Sequence, residues 1–392
     1  MKFATRLLTF DPAPGDRFTP ANTPIYQTAT FRQQDATEFG EYDYSRSGNP
    51  TRAVVEKQIA ALENGTRGFC FSTGLAAITA ITRLVSPGEE ILACDDLYGG
   101  TYRLFSRILA KRGISVRYVD FTNLDAVAAA ISSNTKLVYL ESPTNPLLQI
   151  IDIASVSEIA HRSGALVCVD NSTMSPYLQR PLELGADIVL HSATKFLCGH
   201  SDVMAGAVVV SDDQLGEELY LIQNGEGAGL APFDSFLLLR GMKTLSLRLD
   251  RQQSNARAIA EWLDTQSAVE RVYYPGLAGE KQLRIHRAQA SGDGAVLSFV
   301  TGDAELSRTI VEATKLFNIT VSFGGVNSTI SLPNYMSHAS IPPHLRQQKS
   351  IPADLVRISV GAEDVEDLVD DLSQAFEFAS KQNVLARAVA AD

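Results

Sequence analysis

The chain has 392 residues, more than one ordinary domain needs, and its 45% of hydrophobic residues with a mean hydropathy near zero describe a water-soluble protein with a large core. Lys and Arg total 34 against 45 Asp and Glu, a net charge of -11 without long runs, so no basic stripe offers itself to nucleic acid or acidic lipid and neither partner is expected. Cys70, Cys94, Cys168 and Cys198 form no CxxC pair and sit in apolar surroundings, which reads as free buried thiols in a reducing compartment.

The N-terminus "MKFATRLLTFDPAPGD" lacks an apolar stretch of signal-peptide length, and no segment approaches the ~20 apolar residues of a membrane span. The expected compartment is the cytoplasm, a transit peptide removed ahead of residue 1 being invisible to this reading. Residues 1–50, rich in Pro, Thr, Gln and Tyr, predict an extended arm. After "SGNP" helical spacing begins, with Asn49 placed to cap and Pro50 to occupy the first turn. From there "GFCFS", "EILACDD", "SVRYVD", "KLVYLES", "LVCVDN", "DIVLHS" and "GAVVVS" alternate with helical patterns. That alternation predicts crossover units and a mostly parallel sheet covered on both faces, an α/β domain over 51–245. A long helical tract, "FDSFLLLRGMKTLSLRLDRQQSNARAIAEWLD", leads into "VERVYYP", "AVLSFV", "ITVSF", "LVRISV" and a last helix near Val365 to Ala379, a smaller α+β domain over 246–392.

Ligands of open α/β sheets bind beyond the carboxyl ends of the strands, so the residues just after each apolar run carry the chemistry. "CFSTGLAAITAI" turns at Ser72-Thr73-Gly74 into a helix whose first amides and dipole suit a phosphate, although such a turn is more often a plain connection. Asp170 ends a buried-type strand, where a carboxylate needs a cation or several donors; a helix cap is the bland alternative. Lys195 follows the next strand, flanked by Ser192 and Thr194. A lone lysine is usually a solvated charge. One further crossover, however, brings it to the rim that carries Asp170 and the Ser72 turn. Amine, carboxylate and phosphate cradle are the three handles of pyridoxal 5'-phosphate. His191 and His200 flank the lysine without a third ligand at zinc spacing, which favours core or supporting roles and no metal.

The segments "YDYSRSGNPTR", "DDLYGGTYRLF", "ESPTNPLL" and "VDNSTMSPYLQRPLELGADIVLHSATKFLCGHSDVMAG" resemble the Cys/Met-metabolism family of pyridoxal-phosphate enzymes, over about Pro24 to Ala379. The resemblance implies the aspartate-aminotransferase-like fold (fold type I), with Lys195 as the Schiff-base lysine. It implies that Asp170 pairs with the ring nitrogen, that Asn145 lies near the ring hydroxyl and that Tyr98 stacks on the ring. Ser192, Thr194 and the amides of Gly74 and Leu75 would hold the phosphate; Met is usual where Leu75 stands, a change that spares a backbone contact. Tyr44 and Arg46 would reach the phosphate of a neighbouring subunit, which requires a homo-oligomer, in this family a tetramer of paired dimers. Arg357, inside the strand-like "LVRISVG", would bind the α-carboxylate of a small amino-acid substrate, and Ser322 would contact that substrate.

Members differ in what leaves after the α-proton is lost. In the γ-lyase and γ-synthase members a glutamate stands where this chain has Val321, and methionine γ-lyases carry a cysteine in place of Gly100. "VSFGGV" and "EGAGLAPFDSFLLLRG" resemble the plant-type cystathionine β-lyase branch. The resemblance implies β-elimination of L-cystathionine to homocysteine, pyruvate and ammonia, a step of methionine biosynthesis. Lys195 would be the proton base and then the donor to sulfur, and Tyr98 an assisting acid or base. The alternatives are a cystathionine γ-lyase or γ-synthase and, from another class, a non-catalytic regulator that holds the cofactor without turnover.

Overall fold

The computed structural model describes residues 1–337 and 351–391. Seven apolar runs form β1 (Arg67–Phe71), β2 (Glu90–Cys94), β3 (Ser115–Val119), β4 (Thr135–Glu141), β5 (Leu166–Asp170), β6 (Ile188–His191) and β7 (Gly206–Val210). They make one sheet in the order β1-β7-β6-β5-β4-β2-β3. Neighbours from β3 to β6 run parallel, and β7 lies antiparallel to both β1 and β6, so the expected mostly parallel sheet is present.

The sequence of β7 shows why the sheet is buried on both sides. Ala207 and Val209 point into one hydrophobic core and Val208 and Val210 into the other, so a run of small β-branched residues fills both faces at period two. Each fully buried valine contributes about 1.5–3 kcal/mol of transfer free energy. The core on the Val209 side continues through the helix Leu245–Asp264 to Phe299 and Ile358 of the second sheet, which fastens the two sheets together. That second sheet holds β8 (Arg271–Tyr273), β9 (Val296–Val300), β10 (Asn318–Ile319), β11 (Thr329–Ser331) and β12 (Val356–Ser359), in the order β10-β11-β12-β9-β8.

Asn49 caps the helix Pro50–Leu62 as expected, its side chain accepting from the amides of Thr51 at 3.0 Å and Arg52 at 3.4 Å. The arm differs from a purely extended segment: Phe3–Leu8 is a short helix that buries Leu7 in the core. The long helical tract is two helices, Pro232–Met242 and Leu245–Asp264. At the break the Gly241 carbonyl accepts from the Arg248 guanidinium at 3.0 Å and the Thr244 hydroxyl at 3.1 Å instead of continuing the ladder. Of "ITVSF" only Ile319 joins the sheet, in the two-residue strand Asn318–Ile319; Ser322, with φ 81, turns the chain away toward the lysine. The last helix runs from Val365 to Ala391, beyond the expected end.

Candidate active site

β1, β4, β5 and β6 all point their carboxyl ends at one rim, because β1 and β6 are each antiparallel to β7 and β4 to β6 are mutually parallel. The loops that leave this rim enclose a cavity of about 380 Å³. All the candidate residues except Tyr44 and Arg46 line it: Gly74 and Leu75 after β1, Tyr98 after β2, Asn145 after β4, Asp170, Ser192, Thr194 and Lys195 at β5 and β6, Ser322 from the loop after β10 and Arg357 on β12. Tyr44 and Arg46 stand outside this cavity, Tyr44 41% exposed and Arg46 donating to the Asn224 side chain at 3.2 Å.

The Lys195 ammonium donates to the Ser322 hydroxyl and sits 4.9 Å from the Phe323 ring centroid. Its pKa is pushed down to about 8, first by burial and then by the nearby Arg357 charge, against a smaller opposing pull from Asp170. The amine is therefore poised to exchange a proton near neutral pH. Arg357, 2% exposed, donates to the Asn145 side-chain oxygen at 3.0 Å and the Ser322 carbonyl at 2.7 Å. Its Nε is buried and has no hydrogen-bond partner among the described residues. Among those residues no carboxylate pairs with it, and burial lowers its pKa to about 10. Such a guanidinium is ready for an anionic ligand.

Asp170 accepts from the amide and hydroxyl of Ser172, at 3.0 and 2.5 Å, and from the Tyr139 hydroxyl at 3.2 Å. Burial raises its pKa, while the Ser172 bonds, the charge of His191 and the Tyr139 bond oppose that rise. His191 is itself buried and bonded to the buried Glu63 at 2.6 Å, a core pair beneath the rim; His200 Nδ1 meets the Cys198 carbonyl at 2.7 Å.

At the opposite wall the helix Gly74–Thr82 begins, and Thr73 caps it by accepting from the Ala76 amide at 2.9 Å. The amides of Gly74 and Leu75 belong to its first, unpaired turn. A Cβ at Gly74 would stand 3.0 Å from both Cβ and Oγ of Ser192, so glycine keeps the space between helix end and serine open. The Ser72 amide, by contrast, is spent on the Ala228 carbonyl at 2.9 Å. The Thr194 hydroxyl accepts from the Ala205 amide at 2.9 Å and donates to its carbonyl at 3.2 Å. Open amides, a lysine of lowered pKa, a carboxylate and an unsatisfied guanidinium fit pyridoxal 5'-phosphate with an amino-acid substrate.

The sequence pattern of the "Cys/Met metabolism PLP-dependent enzyme" family matches residues 4–377. The chain belongs to this family. Its cofactor is accordingly pyridoxal 5'-phosphate, and the expectation of an enzyme of sulfur amino-acid metabolism is borne out. The chain is 56% identical to a chloroplastic cystathionine beta-lyase of Arabidopsis thaliana over 92% of its own length and 78% of the relative's. It is 48% identical to a cystathionine beta-lyase of Lactococcus lactis over 91% and 94% of the two chains. A crystal structure of cystathionine gamma-lyase from Lactobacillus plantarum complexed with L-serine superposes with a TM-score of 0.93 at 44% identity, covering 96% of this chain and 99% of that one. The expected fold class is thus shared with solved structures; the sequence relatives include cystathionine beta-lyases and the structural relatives a cystathionine gamma-lyase.

Residue-by-residue reading missed several lining groups: Glu141, Arg103, Met204 and Met336. Glu141 fixes the loop before the tyrosine by accepting from the Tyr98 amide at 2.8 Å. Its place at the end of "KLVYLE" was a usable signal, since a carboxylate closing a buried strand needs donors. Gly100 is a contact residue as well: a Cβ there would lie 2.3 Å from the Tyr98 ring, so the ring occupies the space that glycine leaves.

Proposed function

We propose that the chain is a carbon–sulfur lyase that cleaves L-cystathionine by β-elimination, with water, to homocysteine, pyruvate and ammonia. The observation that carries the reading is the cavity itself, in which the Lys195 amine, with its pKa of about 8, faces Asp170 and Arg357. Bound pyridoxal phosphate supplies an electron sink that lets a carbon–hydrogen bond next to an amine ionise. Arg357 grips the substrate's α-carboxylate through its free Nε edge and holds the α-carbon toward Lys195. Nζ of Lys195 takes the α-proton in its neutral form and returns a proton to the sulfur leaving Cβ. The Ser322 hydroxyl steers that amine. With pyridoxal phosphate bound, Asp170 would hold a proton on the ring nitrogen, Ser192, Thr194, Gly74 and Leu75 would bind the phosphate and Asn145 would stand by the ring hydroxyl. Tyr98 would cover the ring and, 39% exposed, could pass a proton.

Cystathionine carries a second amino-acid end, and the exposed Arg103 gives the cavity a second guanidinium for its distal carboxylate. Val321, 54% exposed and part of the cavity wall, offers no carboxylate to a distal ammonium, which favours β- over γ-elimination. Tyr44 and Arg46, turned away from their own cavity, serve the phosphate of a neighbouring subunit, so the working form is a homo-oligomer, a tetramer of paired dimers. Four free buried cysteines suit a reducing compartment, the cytoplasm in this reading.

The deciding experiment feeds L-cystathionine and pyridoxal phosphate to the purified protein and identifies both products. Pyruvate with homocysteine supports the reading. Formation of 2-oxobutyrate with cysteine would make it a γ-lyase and show Val321 misjudged; no keto acid at all would leave γ-replacement or a non-catalytic role.

A further inference from the structure

Arg52 lies in the first turn of the helix Pro50–Leu62, 3% exposed and six residues past Arg46. A buried guanidinium must be explained by what it binds. Its nearest carboxylate, Glu56, is one helical turn on at 3.5 Å. Its short bonds go instead to backbone carbonyls of the arm, Ser45 at 2.8 Å and Arg46 at 3.0 Å, with a longer contact to Leu230 at 3.5 Å. A Cβ on Gly229 would sit 3.0 Å from the guanidinium, so the group is seated in a slot that a glycine keeps open.

The carbonyls it reads belong to the segment that presents Tyr44 and Arg46. Other bonds support the segment from its side chains and amides: the Ser45 hydroxyl donates to the Thr28 carbonyl and accepts from Asn49, and Arg46 and Ser47 both donate to Asn224. Ser45 donates its amide to Ala29 at 2.9 Å, and the amides of Ser47 and Gly48 close the turn on the Tyr44 carbonyl, both at 3.0 Å. The Ser45 and Arg46 carbonyls themselves are bonded by Arg52. Leu230, at the other side of the clamp, donates its amide to Cys70 of β1 at 3.0 Å, and Ser72 donates to Ala228 at 2.9 Å. The same guanidinium thus ties the arm to the strand that ends in this chain's own phosphate-side turn.

We infer that Arg52 is a positioning residue for cofactor binding: it sets the Ser45–Arg46 backbone so that the Arg46 side chain reaches the phosphate held by a neighbouring subunit. The inference rests on the cross-subunit reading proposed above. A planar fork with several donors can hold two adjacent carbonyls at once, which a lysine ammonium on a flexible stem does not reproduce.

The test is a cofactor titration of cofactor-stripped protein, followed by the visible absorbance of the bound chromophore, for wild type, Arg46→Ala, Arg52→Lys and the double variant, with sedimentation to record assembly. Each single variant is expected to weaken affinity by on the order of tenfold, the worth of a hydrogen bond to a charged group. Because Arg52 acts through Arg46, the double variant should bind about as weakly as Arg46→Ala alone. Wild-type affinity in Arg52→Lys beside a weakened Arg46→Ala overturns the inference, as does a double variant whose losses multiply, the mark of a general structural role. Undiminished affinity in Arg46→Ala removes the cross-subunit reading and this inference with it. Should Arg52→Lys not assemble, Gly229→Ala, which crowds the guanidinium without removing it, carries the same comparison. A severalfold loss that disappears in the Arg46→Ala background is then expected, and a loss that persists there overturns the inference.

Discussion

Two of the loops that carry functional side chains are gripped from below by a buried arginine, yet in the function proposed only one of them is finished within the chain. The lysine loop, Ser192 to Gly199, has its carbonyls at Phe196 and Leu197 read by Arg248 at 2.8 and 3.4 Å, and Phe196, Leu197 and Cys198 sink into the core. Gly199, with φ 73, has to be glycine, since a Cβ would lie 2.0 Å from the Arg248 guanidinium. The arm is gripped by Arg52 in the same manner, but Tyr44 stays 41% exposed and is not among the residues that line the cavity of its own chain. The same backbone-reading device therefore makes a site where hydrophobic side chains bury the loop and, in the function proposed, a half-site where they do not.

The severest way to break the self-contained loop is Lys195→Ala. Loss of the proton carrier alone should lower turnover by about 10²–10⁴-fold, and the absorbance band of the lysine-bound cofactor should vanish. Sedimentation and circular dichroism should match wild type, because the rest of the loop is held by Arg248 and the core. If the variant unfolds, the loop depends on its lysine and the comparison fails.

Arg248→Met attacks the grip itself. It strands the Phe196 carbonyl and takes one of its donors from the Gly241 carbonyl, and stability to denaturant should fall by about 3 kcal/mol. Arg52→Lys should cost much less stability and register instead in cofactor affinity. Equal losses in the two would mean that the arm is as integral to the fold as the lysine loop.

This contrast also marks what the sequence made legible. The seven strands and their common rim followed from runs such as "GAVVV", because a strand buried on both faces leaves an unbroken apolar signature. Lys195, Asp170 and the Gly74 turn could be placed together because strand ends converge in such a sheet, and the family motifs brought in Asn145, Tyr98, Ser322 and Arg357. The roles of Arg52 and Arg248 were not legible, since an arginine that serves backbone carbonyls looks like any other arginine on a helix. Nor was β11, three residues long, whose pairing with β12 is decided by the tertiary fold. Whether "ITVSF" stays a strand is likewise settled by a contact distant in sequence, the bond from Lys195 to Ser322.

Cofactor-free protein gives a pH test of how enclosed the lysine is. The folded pKa of about 8 lies below the ordinary 10.5, so folding favours the neutral amine. Below pH 8 both states carry the proton and the full penalty is present. From about pH 8 to 10.5 the unfolded chain binds more protons than the folded one, and unfolding free energy should rise with pH through this window. After allowance for partial solvent access the total is on the order of 2 kcal/mol. Lys195→Met should flatten this rise in chemical denaturation measured across the window. An unchanged slope would place the amine in solvent.

The half-site is sharpened by Arg46→Ala, the smallest effect of the set. At a free cofactor concentration a thousandfold above its dissociation constant, binding stabilises the fold by about 4 kcal/mol through mass action. A tenfold weaker constant removes about 1.4 kcal/mol of that and no more, because the lysine, the Gly74 turn and Ser192 remain in the same chain. If Arg46 instead served its own subunit, the loss would be independent of protein concentration. As the arm of another subunit it should behave differently: diluting wild type until its oligomer dissociates ought to lower the cofactor-induced rise in melting temperature to the Arg46→Ala level, while the variant itself changes little on dissociation. The bond that Arg46 makes to Asn224 within its own chain is consistent with a resting position that a partner's phosphate draws it from.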